Sequence, residues 1–102
     1  MGEVLLFARQ WDVAELAYVV VAAARGRGIA TEAVRLVGDW AFEKLGIQRL
    51  QLMVAVDNDA SHRVAEKSGY RREGLLRSAY EVRGVRMDMV MYSRLPTDPA
   101  PV

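Results

Sequence analysis

The chain has 102 residues, 52% of them hydrophobic and 26% charged, which is enough for one core and one domain. Its formal net charge of +1 removes the general electrostatic case for nucleic-acid binding, although charge can still cluster locally. With no cysteine and a single histidine, disulfides, thiolate catalysis and thiolate zinc sites are excluded, and a histidine-based metal site is disfavoured.

In chain order, Glu3–Gln10 reads as a short strand around Val4–Ala8. Trp11–Val13 is a turn into a second strand, Ala14–Ala22, whose run Val19-Val20-Val21 suits a strand covered on both faces. From about Gly28 to Leu45 the pattern turns helical. Ile29, Ala33, Val37, Ala41 and Leu45 share one stripe, joined by Val34, Leu36 and Trp40. Gly38 inside that helix costs about 1 kcal/mol against alanine, which a close helix–sheet contact would explain. Gly46 stops the helix. Gln48–Val56 alternates between apolar and mixed faces, as a strand does.

Asp57, Asn58 and Asp59 supply capping side chains for a short helix over Ala60–Ser68, ended by Gly69. Tyr70–Val82 is a further strand, irregular near Gly74. Arg83-Gly84 is a turn, and Val85–Arg94 closes a hairpin. The order is β-β-α-β-α-β-β, an α/β mixed sheet. Its first two and last two strands form antiparallel pairs, with a parallel junction between them. Residues 1–95 are read as one domain and 96–102, with three prolines, as a tail that continues neither ladder nor helix. The run Leu16–Ala24 is too short to span a bilayer. No secretory leader pattern is visible, so a cytoplasmic protein with no membrane association is expected.

The stretch that organises the chain is Tyr18–Arg35: apolar strand, glycine turn, helix start. Gly26 and Gly28 open backbone angles closed to other residues. The helix that follows offers unpaired N–H groups and the positive end of its dipole. Together they make a cradle for a phosphate or pyrophosphate, with Arg25 and Arg27 adding charge. A plain strand-to-helix connection would show the same isolated Gly-x-Gly. A P-loop is ruled out by the missing Gly-Lys-Ser/Thr, and a dinucleotide fingerprint by the missing third glycine and following acid.

What remains, Arg25-Gly26-Arg27-Gly28-Ile29-Ala30, fits Arg/Gln-x-x-Gly-x-Gly/Ala and resembles the acetyl-CoA pyrophosphate loop of the GNAT N-acetyltransferases. Two further landmarks follow in the right order. Asp57–Tyr70 is similar to the Asn-x-x-Ser-x-x-x-x-x-Lys-x-Gly-Phe/Tyr segment of the branch resembling ribosomal-protein N-terminal acetyltransferases. Glu73–Arg77 with Asp88, Tyr92 and Ser93 is similar to that branch's closing hairpin. The resemblance covers roughly residues 14–95.

The resemblance implies acetyl-CoA lying between two splayed central strands, here Ala14–Ala22 and Gln48–Val56. Backbone groups of Val19, Val20 and Val21 would pair with pantetheine. Main-chain N–H groups of Arg25, Gly26, Arg27, Gly28, Ile29, Ala30 and Thr31 would hold the pyrophosphate. Asn58 would position the pantetheine, or serve as a helix N-cap, or both. The chemistry implied is direct attack of a primary amine, a protein N-terminus or a small amine, on the thioester. Glu15 is the candidate base, against the alternative of a strand-edge carboxylate bound to a neighbour. Ser61 is the candidate proton donor to the thiolate, against a helix cap. Tyr80 stands where that branch can carry a glutamate, and is either a proton donor or a packed aromatic. No metal is required.

Other residues receive ordinary readings. His62 is a solvent-facing helix residue, Met87, Met89 and Met91 are core, Trp11 and Trp40 are packing residues, and Arg71-Arg72 is a solvated pair or a contact for the adenosine 3′-phosphate. The family pattern begins with further elements before the equivalent of Glu3, and these form much of the acceptor pocket. The first strand is therefore expected to be an edge open to a second copy of the chain. A non-catalytic acyl-CoA-binding or interaction module, or an inactive truncated remnant, is the competing reading.

Overall fold

The computed structural model describes residues 2–8, 10–20 and 28–99. Strand β1 is Gly2–Ala8, and a short 3-10 turn over Gln10–Asp12 leads into β2, Val13–Val20. Helix α1 is Ile29–Leu45, followed by β3, Arg49–Ala55, and α2, Asp59–Lys67. The chain closes with β4, Arg71–Val82, and β5, Val85–Arg94. The element order is the one expected, and observed ends differ from the expected ones by at most two residues, except that the expected end of the second strand, Ala22, lies outside the described residues. Gly28, for example, caps α1 instead of opening it.

The five strands form one sheet in the order β1-β2-β3-β5-β4. β1 pairs antiparallel with β2, β2 parallel with β3, and β5 antiparallel with both β3 and β4. One sheet face carries the core. Ala14 and Leu16 of β2, Leu50, Leu52 and Val54 of β3, and Val90 and Tyr92 of β5 are buried with Val34 and Ala41 of α1 and Ala65 of α2. Both helices therefore cover the same face. The other face carries Glu15, Gln51, Met53, Ala55, Met89 and Met91, all only half-buried.

That asymmetry corrects one expectation. The alternating methionines Met87, Met89 and Met91 are not core, because the side of β5 turned to the helices is Val90 and Tyr92. A strand sends successive side chains to opposite faces, and alternation alone does not say which face is covered.

The stripe expected on α1 was too wide. Its buried residues are Val34, Gly38 and Ala41, with Val37 and Phe42 packed against the core. Ile29, Leu36 and Leu45 are exposed, and Trp40 is 50% exposed. Gly38 supplies the reason. A Cβ there would stand 2.8 Å from Arg94 Nη1 and 3.2 Å from Leu50 Cδ1. The glycine line faces the sheet and takes the closest approach, which rotates Leu36 and Trp40 outward. Arg94 is held in this contact by Asp39 Oδ1 at 2.6 Å and lies 5.2 Å from the Phe42 ring centroid. Trp11 is no packing residue either. It has φ 60 within its turn and is 86% exposed.

Helix ends follow the local chemistry. Gly46, at φ 66, closes α1 with its N–H donating to Ala41 O, as expected for a left-handed C-cap. Tyr70, buried beside Gly38, has no hydroxyl partner among the described residues. Burial pushes that hydroxyl well up from its usual range, against the opposing pull of Arg94.

Candidate functional site

The pairing of the two central strands stops partway. β2 and β3 are hydrogen-bonded from Val13 opposite Arg49 to Leu16 opposite Leu52. β2 nevertheless continues to Val20, paired on its far side with β1, and β3 continues to Ala55, paired on its far side with β5. Between Ala17–Val20 and Met53–Ala55 the sheet is therefore open. Backbone groups facing such an opening need acceptors and donors from elsewhere, and an amide-bearing extended ligand can supply both. Val19 and Val20 lie on this open margin of β2. Val21, Arg25, Gly26 and Arg27 lie outside the described residues.

α1 begins just beyond. Gly28 has φ 76 and ψ −3, and no side chain caps the helix. Its carbonyl accepts from Glu32 N–H at 3.0 Å, starting the helical ladder. The N–H groups of Ile29, Ala30 and Thr31 belong to the first turn, where a helix has no acceptor of its own. An open depression of about 440 Å³ lined by Gly28, Ile29, Glu32, Ala33 and Leu36 adjoins this start. Its lining among the described residues comes from α1 and the glycine that caps it.

Glu15 is half-buried on the face away from the helices, one residue before the pairing stops. Its Oε1 accepts from Gln51 Nε2 at 3.1 Å. Gln51 Oε1 accepts in turn from Arg49 Nε at 3.3 Å. Arg49 donates two parallel bonds to Glu73, at 2.9 and 2.8 Å, and Ser93 Oγ donates to Glu73 Oε2 at 2.6 Å. A polar row thus crosses the uncovered face from β2 to β4. Its far end is firmly ionised: the bonds from Arg49 and then Ser93 bring the Glu73 carboxyl down to about 2. Arg49 is raised by the same pair. This row could not be found from sequence, because it depends on which strands become neighbours.

The other flank of the opening is the first turn of α2. Asn58 is its N-cap, its Oδ1 accepting from Ser61 N–H at 3.2 Å. That leaves the Asn58 amide N–H₂ as the group that can turn toward a ligand. His62 is not solvent-facing, which corrects the sequence reading. Its ring nitrogens lie 2.7 Å from Tyr92 Oη and 3.0 Å from the Val56 carbonyl oxygen. Its position four residues after the cap carried no signal of this, since both bonds reach other elements.

Tyr80 stands apart from the other two candidates. It is 51% exposed on β4, paired with Met87 beyond a register shift between Leu76 and Tyr80. It is not a packed aromatic. Glu15 lies at the level of Ser93 on β5, through Gln51, six residues from Met87. At about 3.4 Å per residue the two levels are roughly 20 Å apart along the strands, so Glu15 and Tyr80 do not share one reacting atom in this arrangement.

Comparison with known proteins points one way. The sequence profile of the Acetyltransferase (GNAT) domain matches residues 1–71. The chain is 40% identical over 87 residues to a Bacillus subtilis protein named "Probable N-acetyltransferase YjcK", covering 85% of this chain and 48% of that one. It is 38% identical over 82 residues to the "Putative ribosomal N-acetyltransferase YdaF" of the same organism, covering 80% and 45%. The structure of Mycobacterium smegmatis RimJ in complex with CoA-disulfide aligns with a TM-score of 0.86 at 28% identity, over 93% of this chain and 47% of that one. The chain spans about half the length of the curated relatives it matches.

Proposed function

We infer function from one premise: the chain belongs to the GNAT family of acetyltransferases. The proposal is that it transfers an acetyl group from acetyl-CoA to a primary amine, on a protein N-terminus or a small molecule. The observation that carries this reading is the opening between β2 and β3, with an uncapped helix start immediately after it. Both suit the ligand. An open strand margin can pair with the amides of pantetheine, and first-turn N–H groups with a helix dipole behind them suit a pyrophosphate.

The remaining roles belong to the same proposal. Val19 and Val20, on the open margin of β2, pair with pantetheine together with Val21, and main-chain N–H groups of Arg25–Thr31 hold the pyrophosphate. Asn58 orients pantetheine through its amide. The amine nitrogen attacks the thioester carbon, the C–S bond breaks and an amide forms. Glu15, at the fork of the strands, takes the proton from the amine, and Ser61 returns one to the leaving thiolate. A backbone N–H of Val19 or Val20 polarises the carbonyl oxygen. Tyr80, far along the hairpin, is better suited to meeting the acceptor than to meeting the thiolate.

A binding module without turnover is the second reading. It draws on the uncovered sheet face. β1 ends the sheet, so pairing with a second copy is part of the same proposal and is read from the molecular mass in solution. The deciding experiment gives the chain acetyl-CoA and a panel of peptides and polyamines, and follows thiol release. Amine-dependent release is expected; binding of acetyl-CoA without release by any amine supports the second reading. Glu15→Gln is expected to lower the rate by two to three orders of magnitude, about the contribution of general-base catalysis. A variant with the wild-type rate removes Glu15 from that role.

A further inference from the structure

His62 is the chain's single histidine, and both ring nitrogens are engaged. Nε2 lies 3.0 Å from the Val56 carbonyl oxygen at the end of β3, and Nδ1 lies 2.7 Å from Tyr92 Oη on β5. A carbonyl oxygen only accepts, so Nε2 carries a hydrogen. In the neutral ring Nδ1 is then the acceptor, and Tyr92 Oη donates to it. Tyr92 is a fixed anchor: it is fully buried and sits in the ladder opposite Leu52. Burial, reinforced by Glu66 and opposed by Arg72, pushes its hydroxyl up, which keeps the proton there to donate.

One imidazole therefore ties the first turn of α2 to the ends of two strands. The turn also carries local bonds: Asn58 N–H to Ala55 O at 3.0 Å, His62 N–H to Asn58 O at 3.1 Å, and Ser61 N–H to Asn58 Oδ1. These three join residues close in the chain. The bond to Tyr92 reaches across to β5, and Asn58 and Ser61 sit on the turn that it ties.

We propose that His62 is a positioning residue for the acyl-pantetheine end of the ligand, holding Asn58 and Ser61 in register with the opening between β2 and β3. The inference rests on the reading that Asn58 and Ser61 meet that part of acetyl-CoA. It predicts a selective defect, because the phosphate end is bound by a different helix.

The test titrates the full chain with two probes, acetyl-CoA and adenosine 3′,5′-bisphosphate, which lacks pantetheine and thioester. His62→Ala is expected to weaken acetyl-CoA about tenfold and to leave the bisphosphate within about twofold. His62→Gln, whose amide also carries one donor and one acceptor, is expected to recover most of the loss. Tyr92→Phe removes one end of the bridge and is expected to act on acetyl-CoA alone, which keeps the test open should His62→Ala fail to fold. Equal weakening of both probes, or unchanged acetyl-CoA affinity, overturns the proposal. Wild-type chain that binds neither probe overturns the parent reading and this one with it. The imidazole ¹⁵N spectrum, a single spin system here, tests the bridge without any ligand: the Nε2–H tautomer is expected, and an Nδ1–H tautomer overturns it.

Discussion

Helix α1 starts on a glycine in the left-handed region with no side-chain cap, whereas α2 starts on an asparagine whose Oδ1 takes the Ser61 N–H. Four residues into α2, His62 adds two bonds to neighbouring strands. Both starts carry the positive end of a helix dipole, yet they are prepared for different work. Among the described residues no side chain caps the first, which suits the proposed pyrophosphate. The second satisfies one donor internally and holds side chains at fixed angles. One start suits binding an anion, the other suits aiming groups at it.

The largest test of that contrast is Gly28→Val. At φ 76 a β-branched residue is strained by about 1–2 kcal/mol, yet nothing among the described residues lies within 4 Å of an added Cβ, so the chain is expected to fold. The backbone relaxes away from the left-handed region and the first-turn N–H groups turn with it. Acetyl-CoA affinity is expected to fall at least about a hundredfold, or about 2.7 kcal/mol, with the far-ultraviolet spectrum unchanged. Calorimetric titration that finds wild-type affinity would remove the anion role from this helix start.

Asn58→Ala probes the other start. Losing an N-cap costs about 1 kcal/mol of stability, read as a lower urea midpoint with an unchanged slope. Affinity for acetyl-CoA is expected to drop by no more than about tenfold, since only one amide contact leaves with the side chain. A loss as large as that of Gly28→Val would reverse the comparison and make α2 the main anchor.

How much of this was legible beforehand differs between the two starts. Gly28 and Asn58 are local signals, a glycine before an apolar-periodic run and a capping residue before a short one, and both were read from sequence. Local periodicity also yields the element order and the strand alternation at Leu50, Leu52 and Val54. The close helix–sheet contact at Gly38 was legible from a glycine inside a helix, but its partners were not, because Arg94 and Leu50 meet Gly38 across more than ten residues of separation. His62 was misread for the same reason: its partner Tyr92 is thirty residues on. The row from Glu15 through Gln51 and Arg49 to Glu73 needs a sheet order that pattern does not specify. Composition at each of these positions is compatible with a solvated surface, and only tertiary neighbours make it otherwise.

The finest discrimination between the two helix starts is electrostatic. Glu32 sits in the first turn of α1, where an acid complements the dipole but opposes an incoming phosphate. Arg35 offsets it, with Nη2 donating to Glu32 Oε1 at 2.6 Å while Nη1 reaches Asp39 at 3.5 Å. The contact with Glu32 raises Arg35 further above its already high range, so the guanidinium stays charged across ordinary pH. Arg35→Gln leaves the Glu32 charge uncompensated beside the first-turn donors. Acetyl-CoA affinity is expected to fall about two- to threefold at low salt, the size of one dipole-level charge effect, and to converge on wild type as salt shortens the screening length to a few ångströms. Asp59→Asn removes the acid from the first turn of α2 and is expected to leave affinity unchanged. A loss in Arg35→Gln that persists in high salt would assign Arg35 a packing role. A gain from Asp59→Asn matching the loss at Arg35 would mean that both helix starts sense the phosphate, and the division of labour between them would have to be redrawn.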